Sequence, residues 1–170
     1  TAASAIILIG SSTVPILPKG SQVWSETFGG AGDEWAFSVI QTSDGGYAIA
    51  GYTDSFSVGN MDFWLVKTDS FGNQEWNKTY GGAGYDWASS LVQTSDGGYI
   101  IGGVTWPSSS DEDQRGWLIK TDASGNEIWT KTLSHGQGPI ASVQQTSDGG
   151  YIIASSNFSI GSGRLLSNEG

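Results

Sequence analysis

Apolar and polar residues alternate along this chain in short runs, and the runs return at a fixed distance. Trp87-Ala-Ser-Ser-Leu-Val-Gln-Thr94, Tyr99-Ile-Ile-Gly-Gly-Val-Thr105 and Trp117-Leu-Ile-Lys-Thr121 each have the length and the β-branched or aromatic content of a strand. Between the first two lies Ser95-Asp-Gly-Gly98, a hairpin turn signal, because Asp-Gly and Gly-Gly supply the positive φ of a primed turn. A further strand, Glu75-Trp-Asn-Lys-Thr-Tyr80, is expected ahead of a Gly-rich turn.

Self-similarity fixes the organisation. Gln41-Thr-Ser-Asp-Gly-Gly-Tyr47 recurs as Gln93 to Tyr99 and Gln145 to Tyr151, 52 residues apart both times. Trp24, Trp76 and Trp129 recur at 52 and 53 residues. Thr27 to Gly32 matches Thr79 to Gly84, and Trp64 to Asp69 matches Trp117 to Asp122. Four antiparallel strands per repeat at this period is the signature of a propeller blade. The expected fold is all-β: a β-propeller-like row of tandem four-stranded blades, about three repeats of 52 residues. Residues 24–75 form repeat 1, 76–128 repeat 2, and 129–170 a degenerate, incomplete repeat 3. Residues 1–23 read as an apolar strand segment, a partial blade and a candidate donor strand. A signal-peptide remnant is the alternative there. Its apolar run Ala5 to Ile9 is far shorter than the ~20 residues of a membrane-spanning helix.

Propellers close with about 4–8 blades, so one chain of this length is not expected to close a ring. Open blades leave sheet edges bare. A fragment, a ring completed by further copies, and a head-to-tail row in which an N-terminal strand fills a neighbour's blade are the three solutions. Self-association is the one expected here.

Charge narrows the partners. The net charge is −10, with seven basic residues, so nucleic acid and anionic membrane surfaces are not expected ligands. There is no Cys, hence no disulfide, thiolate metal site or Cys nucleophile. Eight Trp in 170 residues mark a packed fold.

Candidate chemistry is sparse. His135 is the only His, and a triad built on it is not expected. Asp44, Asp96 and Asp148 recur in hairpin turns, with Asp69 and Asp122 before Gly, where Asp side chains bond nearby backbone amides. Asp111, Glu112 and Asp113 form the one local acid cluster, in the variable loop of the second unit. It is the single candidate for Ca2+, though it lacks EF-hand alternation. Trp106 is the only Trp outside the repeat register, on that same variable stretch, and is the candidate for stacking on a sugar ring. Asn77-Lys-Thr79 and Asn157-Phe-Ser159 are glycosylation sequons; Asn77 falls within a strand, and Asn157, read as a loop residue, is the better acceptor. The remaining aromatic register, Trp35/Trp87, Trp64/Trp117 and Trp24/Trp76/Trp129, reads as core.

Gln41 to Gly51, Asp62 to Asp69 and Gly72 to Trp76 together resemble the propeller-type repeats of archaeal and bacterial secreted proteins. The second copy follows at Gln93 to Gly103, Trp117 to Asp122 and Gly125 to Trp129. Asp69, Gly72 and Trp76 are also similar to the tryptophan-docking motif of quinoprotein propellers, with an Asp–Gly gap one residue shorter. No cofactor chemistry carries over with that likeness. The resemblance implies an extracellular or cell-surface location. The functional expectation is a non-enzymatic structural or adhesive protein that self-associates by blade completion, as a homo-oligomer or filament. A carbohydrate-binding module of a larger surface protein is the alternative.

Overall fold

The computed structural model describes residues 25–106, 114–134, 137–157 and 164–166. The repeat becomes three antiparallel sheets. The first contains β1 (Glu34–Gln41), β2 (Tyr47–Thr53), β3 (Asp62–Thr68) and β4 (Gln74–Tyr80), side by side in that order. The second repeats it with β5 (Tyr85–Gln93), β6 (Tyr99–Trp106), β7 (Arg115–Thr121) and β8 (Glu127–Thr132). The third holds β9 (Gln137–Gln145), β10 (Tyr151–Asn157) and β11 (Arg164–Leu166), again in chain order. The architecture is that of propeller-blade-like sheets that, among the described residues, do not close into a ring.

Hairpin chemistry sets each sheet. Gly45, Gly97 and Gly149 hold φ of 86°, 83° and 86°, the left-handed conformation that a residue with a side chain adopts only at a cost. The Asp before each glycine accepts from the amide two residues on: Gly46 N donates to Asp44 Oδ1 at 3.0 Å and Gly98 N to Asp96 Oδ1 at 3.0 Å. The Gln of the repeated motif has a different task. Gln93 Oε1 accepts from Ser43 N at 2.7 Å, and Gln145 Oε1 from Ser95 N at 2.8 Å, so the second and third motifs each tie their hairpin turn to that of the preceding sheet.

The faces stack. Ala48, Ala50, Phe63 and Leu65 of the first sheet meet Ala88, Leu91, Ile101 and Ile119 of the second. Ile100 and Leu118 meet Ile140, Val143 and Ile153 of the third. Trp76 lies edge-on to Tyr99 at 6.0 Å, and Trp129 to Tyr151 at 5.8 Å. The conserved spacing of Trp and Tyr along the chain is therefore one inter-sheet contact made twice. Phe63 meets Trp117 edge-on at 4.8 Å.

The phase of the unit differs from that read along the sequence. The Trp strand closes a sheet as its last member: β4 pairs with β3 through Lys67↔Trp76 and β8 with β7 through Lys120↔Trp129. The reason is turn length. The tight turn from Asp69 to Asn73 leaves β3 and β4 adjacent, with Asp69 N donating to Asn73 O at 2.9 Å. The Gly-rich stretch 81–84 instead carries the chain across to the next sheet.

Candidate functional site: the exposed edge of the first sheet

β1 lies at the edge of its sheet, unpaired on its outer side among the described residues. It exposes three large apolar side chains in five residues: Trp35 at 57%, Phe37 at 51% and Val39 at 52%. The pairing register slips between Ala36 and Ser38, a bulge that inserts Phe37 and re-aims the strand. Trp35, Phe37 and Tyr52 form one ring cluster, with Trp35 stacked on Phe37 at 6.3 Å and on Tyr52 at 6.5 Å. Burial pushes the Tyr52 hydroxyl up, aided by the negative charges of Asp33 and Asp54. The site is thus an aromatic shelf with an acidic border, on a bare strand edge. Monomeric soluble proteins seldom leave such a combination uncovered.

Trp35 was expected in the core with its repeat mate Trp87, and the structure corrects that. Trp87 packs edge-on to Trp106 at 4.5 Å. In the first sheet Asp54 stands where the second has Trp106, so Trp35 lacks that ring and stays exposed.

The same contact relocates Trp106. It is the last residue of β6, paired with Tyr85, half-buried and flanked by the Tyr85 ring at 6.2 Å. It is a strand residue packed against two rings, where a loop position was expected. The reason is that its ring covers Trp87 at the open end of the second sheet. Asp111, Glu112 and Asp113 lie outside the described residues, as do His135 and the segment 1–23. Asn77 sits in β4 opposite Val66, half-buried. Asn157 ends β10 opposite Gln137, in a strand where a loop was expected.

The turn aspartates do what the sequence suggested, and two of them do more. The Asn73 side chain, donating to Asp69 Oδ2 at 2.8 Å, holds the Asp69 carboxyl below the usual range, aided by Asn73 N at 2.9 Å and Phe71 N at 2.8 Å on Oδ1. Asp122 repeats this with Ser124 and Asn126. Asp44 and Asp96 also receive buried lysines: Lys67 Nζ lies 2.8 Å from Asp44 Oδ2, and Lys120 Nζ 3.0 Å from Asp96 Oδ2. The Lys67 hydrogen bond, with that of Thr42, lowers Asp44 to about 2. Thr94, then Lys120, lower Asp96 to about 2. Lys67 and Lys120 are each 3% exposed, and the sequence reading assigned them no role. Their signal was available: a lone Lys inside the otherwise apolar strand Trp64-Leu-Val-Lys-Thr68, repeated in Trp117 to Thr121.

Among the described residues no group of three or more His, Cys, Asp or Glu could hold a metal ion, and no helix is long and apolar enough to cross a membrane. A cleft of about 450 Å³ runs between the hairpin turns, lined by Ser43, Gln93, Ser95 and Gln145. Gln93 and Gln145 are already engaged there by backbone amides, so this cleft is a seam between sheets.

No protein-family model matches this chain, and no curated protein does. Eleven solved chains match in structure. One is a protein of unknown function from Bacteroides caccae, with a TM-score of 0.50 and 11% identity over 85% of this chain. The likeness is one of fold alone. This chain spans about half of that protein, covering 48% of its length.

Proposed function

We propose that this chain is a non-enzymatic structural or adhesive protein of the cell exterior that associates with further copies of itself through open sheet edges. The observation that carries the reading is the β1 edge. Unpaired backbone on its outer side coincides with exposed Trp35, Phe37 and Val39. A second copy adding a strand there gains main-chain hydrogen bonds and brings its own side chains against the Trp35–Phe37 rings on one face and Val39 on the other. The third sheet offers a complementary opening, since it has three strands where the others have four among the described residues. Edge on one end and opening on the other is a heterologous pairing, which gives rings or filaments.

The test is sedimentation velocity of the full chain over a range of concentrations, with electron microscopy of the associated fraction. The expected result is concentration-dependent association that the double variant Trp35→Ser, Phe37→Ser abolishes while its circular dichroism stays unchanged. A wild-type chain that remains monomeric at high micromolar concentration overturns the reading. Deleting residues 1–17 tests the donor-strand form of it: unchanged assembly removes that segment from the contact.

The shelf also supports carbohydrate binding as a second reading. An exposed Trp ring beside Tyr52 and the carboxylates Asp33 and Asp54 is suited to stacking on a sugar and bonding its hydroxyls. A glycan array separates the two, since binding lost in Trp35→Ala and retained in Trp106→Ala favours it over self-association.

A further inference from the structure

Two buried carboxylates meet between the first and second sheets. Asp62 opens β3 and is 1% exposed; Asp86 lies in β5 and is 2% exposed. Backbone contacts clamp the sheets together here: Met61 bridges to Tyr85, and Asp86 N donates to Met61 O at 2.6 Å. A Cβ built on Gly81 would stand 2.2 Å from Asp62 Oδ1 and 2.7 Å from Asp86 Oδ2. Those two oxygens are therefore no further apart than the sum of the two distances, and only a glycine leaves the room between them.

The pair is under-satisfied. Asp62 Oδ2 accepts from Val58 N at 2.9 Å, and Asp86 Oδ2 from Gly82 N at 3.1 Å, while the Thr105 hydroxyl also serves Asp86. Asp62 Oδ1 and Asp86 Oδ1 have no partner. No Lys or Arg forms an ion pair with either among the described residues. Buried ionised carboxylates without compensation are costly, and a counter-charge is the usual remedy.

The repeat shows that this is not turn chemistry. Glu34 occupies the Asp86 position in the first sheet, and both of its oxygens are served, by Thr53 Oγ1 at 3.0 Å and Gly30 N at 3.3 Å. At the next interface Arg115 replaces Asp62 and Gly138 replaces Asp86. Among the described residues the acid pair therefore occurs at the junction of the first and second sheets and not at that of the second and third.

We infer that Asp62 and Asp86 bind a divalent cation of the calcium type between the first two sheets. The donor set is oxygen only, which excludes a preference for soft metals. Calcium accepts irregular shells and bidentate carboxylates, and its remaining positions fall to backbone carbonyls and water. A single shared proton is the weaker remedy. Placed between the neighbouring Asp62 Oδ1 and Asp86 Oδ2, it leaves Asp86 Oδ1 unserved, whereas a bound cation engages both oxygens of that carboxylate. With two carboxylates the affinity belongs to the weak class, Kd about 10⁻⁴–10⁻³ M.

The experiment uses the full chain freed of metal by chelator. Thermal melts are compared in EGTA and in millimolar CaCl2, and terbium(III) luminescence is read on excitation of Trp, with Trp87 next to Asp86 as the near donor. The expected result is a melting temperature raised by calcium and a terbium signal that calcium displaces. Asp62→Asn and Asp86→Asn should each remove the calcium response. Asp62→Asn should also melt no lower than wild type in EGTA, because it deletes a buried charge, and so it keeps the test valid if Asp86→Asn fails to fold. A wild type indifferent to calcium overturns the inference, as does a response that survives Asp62→Asn, which would place the ion elsewhere, such as at Asp111 to Asp113.

Discussion

Replacing Phe63 by Ala tests whether the sheets stack as blades. The Phe63 side chain is fully buried between the first and second sheets and meets Trp117 edge-on at 4.8 Å. Its para carbon comes within 2.7 Å of where a Cβ on Gly103 would stand, so ring and glycine interlock. Truncation removes the ring, leaves a cavity and forfeits the aromatic pair, for a loss of about 4 kcal/mol. A domain of this size loses roughly 2–4 °C of melting temperature per kcal/mol, which puts the shift at roughly 8–16 °C. The control is the same substitution at Phe71, which is 74% exposed in the β3–β4 turn. It should change stability by no more than about 0.5 kcal/mol. The assay is urea unfolding followed by tryptophan fluorescence, with the denaturant slope checked for constancy. A Phe63→Ala loss below about 1 kcal/mol, or equal losses at Phe63 and Phe71, refutes face-to-face stacking of the two sheets.

Further outcomes follow from the buried lysines and the turns. Asp96→Asn should destabilise by about 1–3 kcal/mol, because Lys120 then loses its carboxylate partner. Asp44→Asn should cost less, since Lys67 keeps Glu75 at 2.8 Å, whereas Ile128 stands in the place of Glu75 in the second sheet; chemical denaturation of both variants gives the comparison. Asp44 and Asp96 have folded values lowered to about 2, so their stabilisation is complete above the unfolded value near 3.9 and disappears as pH falls toward 2. An acid titration of the melting temperature should show a decline in that window, and the decline should weaken in the Asp44→Asn, Asp96→Asn double variant. Gly125→Ala should cost about 2 kcal/mol or more, because φ is +76° and the new methyl lies 2.7 Å from the Trp76 ring. Its signature is a shifted Trp emission as well as a lower melting point.

Much of the architecture was legible because the repeat states it three times. The Asp-Gly-Gly turns, the strand lengths and the Trp–Tyr spacing each follow from local chemistry that sequence displays directly. The phase of the unit was not, because hydrogen bonding to a neighbour is decided by how tightly a turn closes. Asp69 to Asn73 and Gly81 to Gly84 are both Gly-containing connections, and only the first is a hairpin. The site was harder to read. Trp35 and Trp87 are equivalent by register, yet Trp35 is 57% exposed while Trp87 packs edge-on to Trp106, a ring that the first sheet replaces with Asp54. Lys67 hides as a charged residue whose burial depends on a turn 23 residues earlier. Asp62 and Asp86 are each unremarkable in sequence and become a pair only when two sheets bring them together.

The last-strand position of the tryptophan has a mechanical consequence. Among the described residues every hydrogen-bonded neighbour within a sheet is also a neighbour along the chain, so none of these sheets is laced to another by an exchanged strand. Sheets hold one another by side-chain contacts, the Gln93 and Gln145 ties and the short bridge at Met61. Under tension applied at the two ends of the chain, the weakest planes therefore lie between sheets. Extension should proceed as discrete steps, one sheet at a time, with each released length set by the 52-residue period. On release each sheet should refold locally, without having to recover long-range pairings.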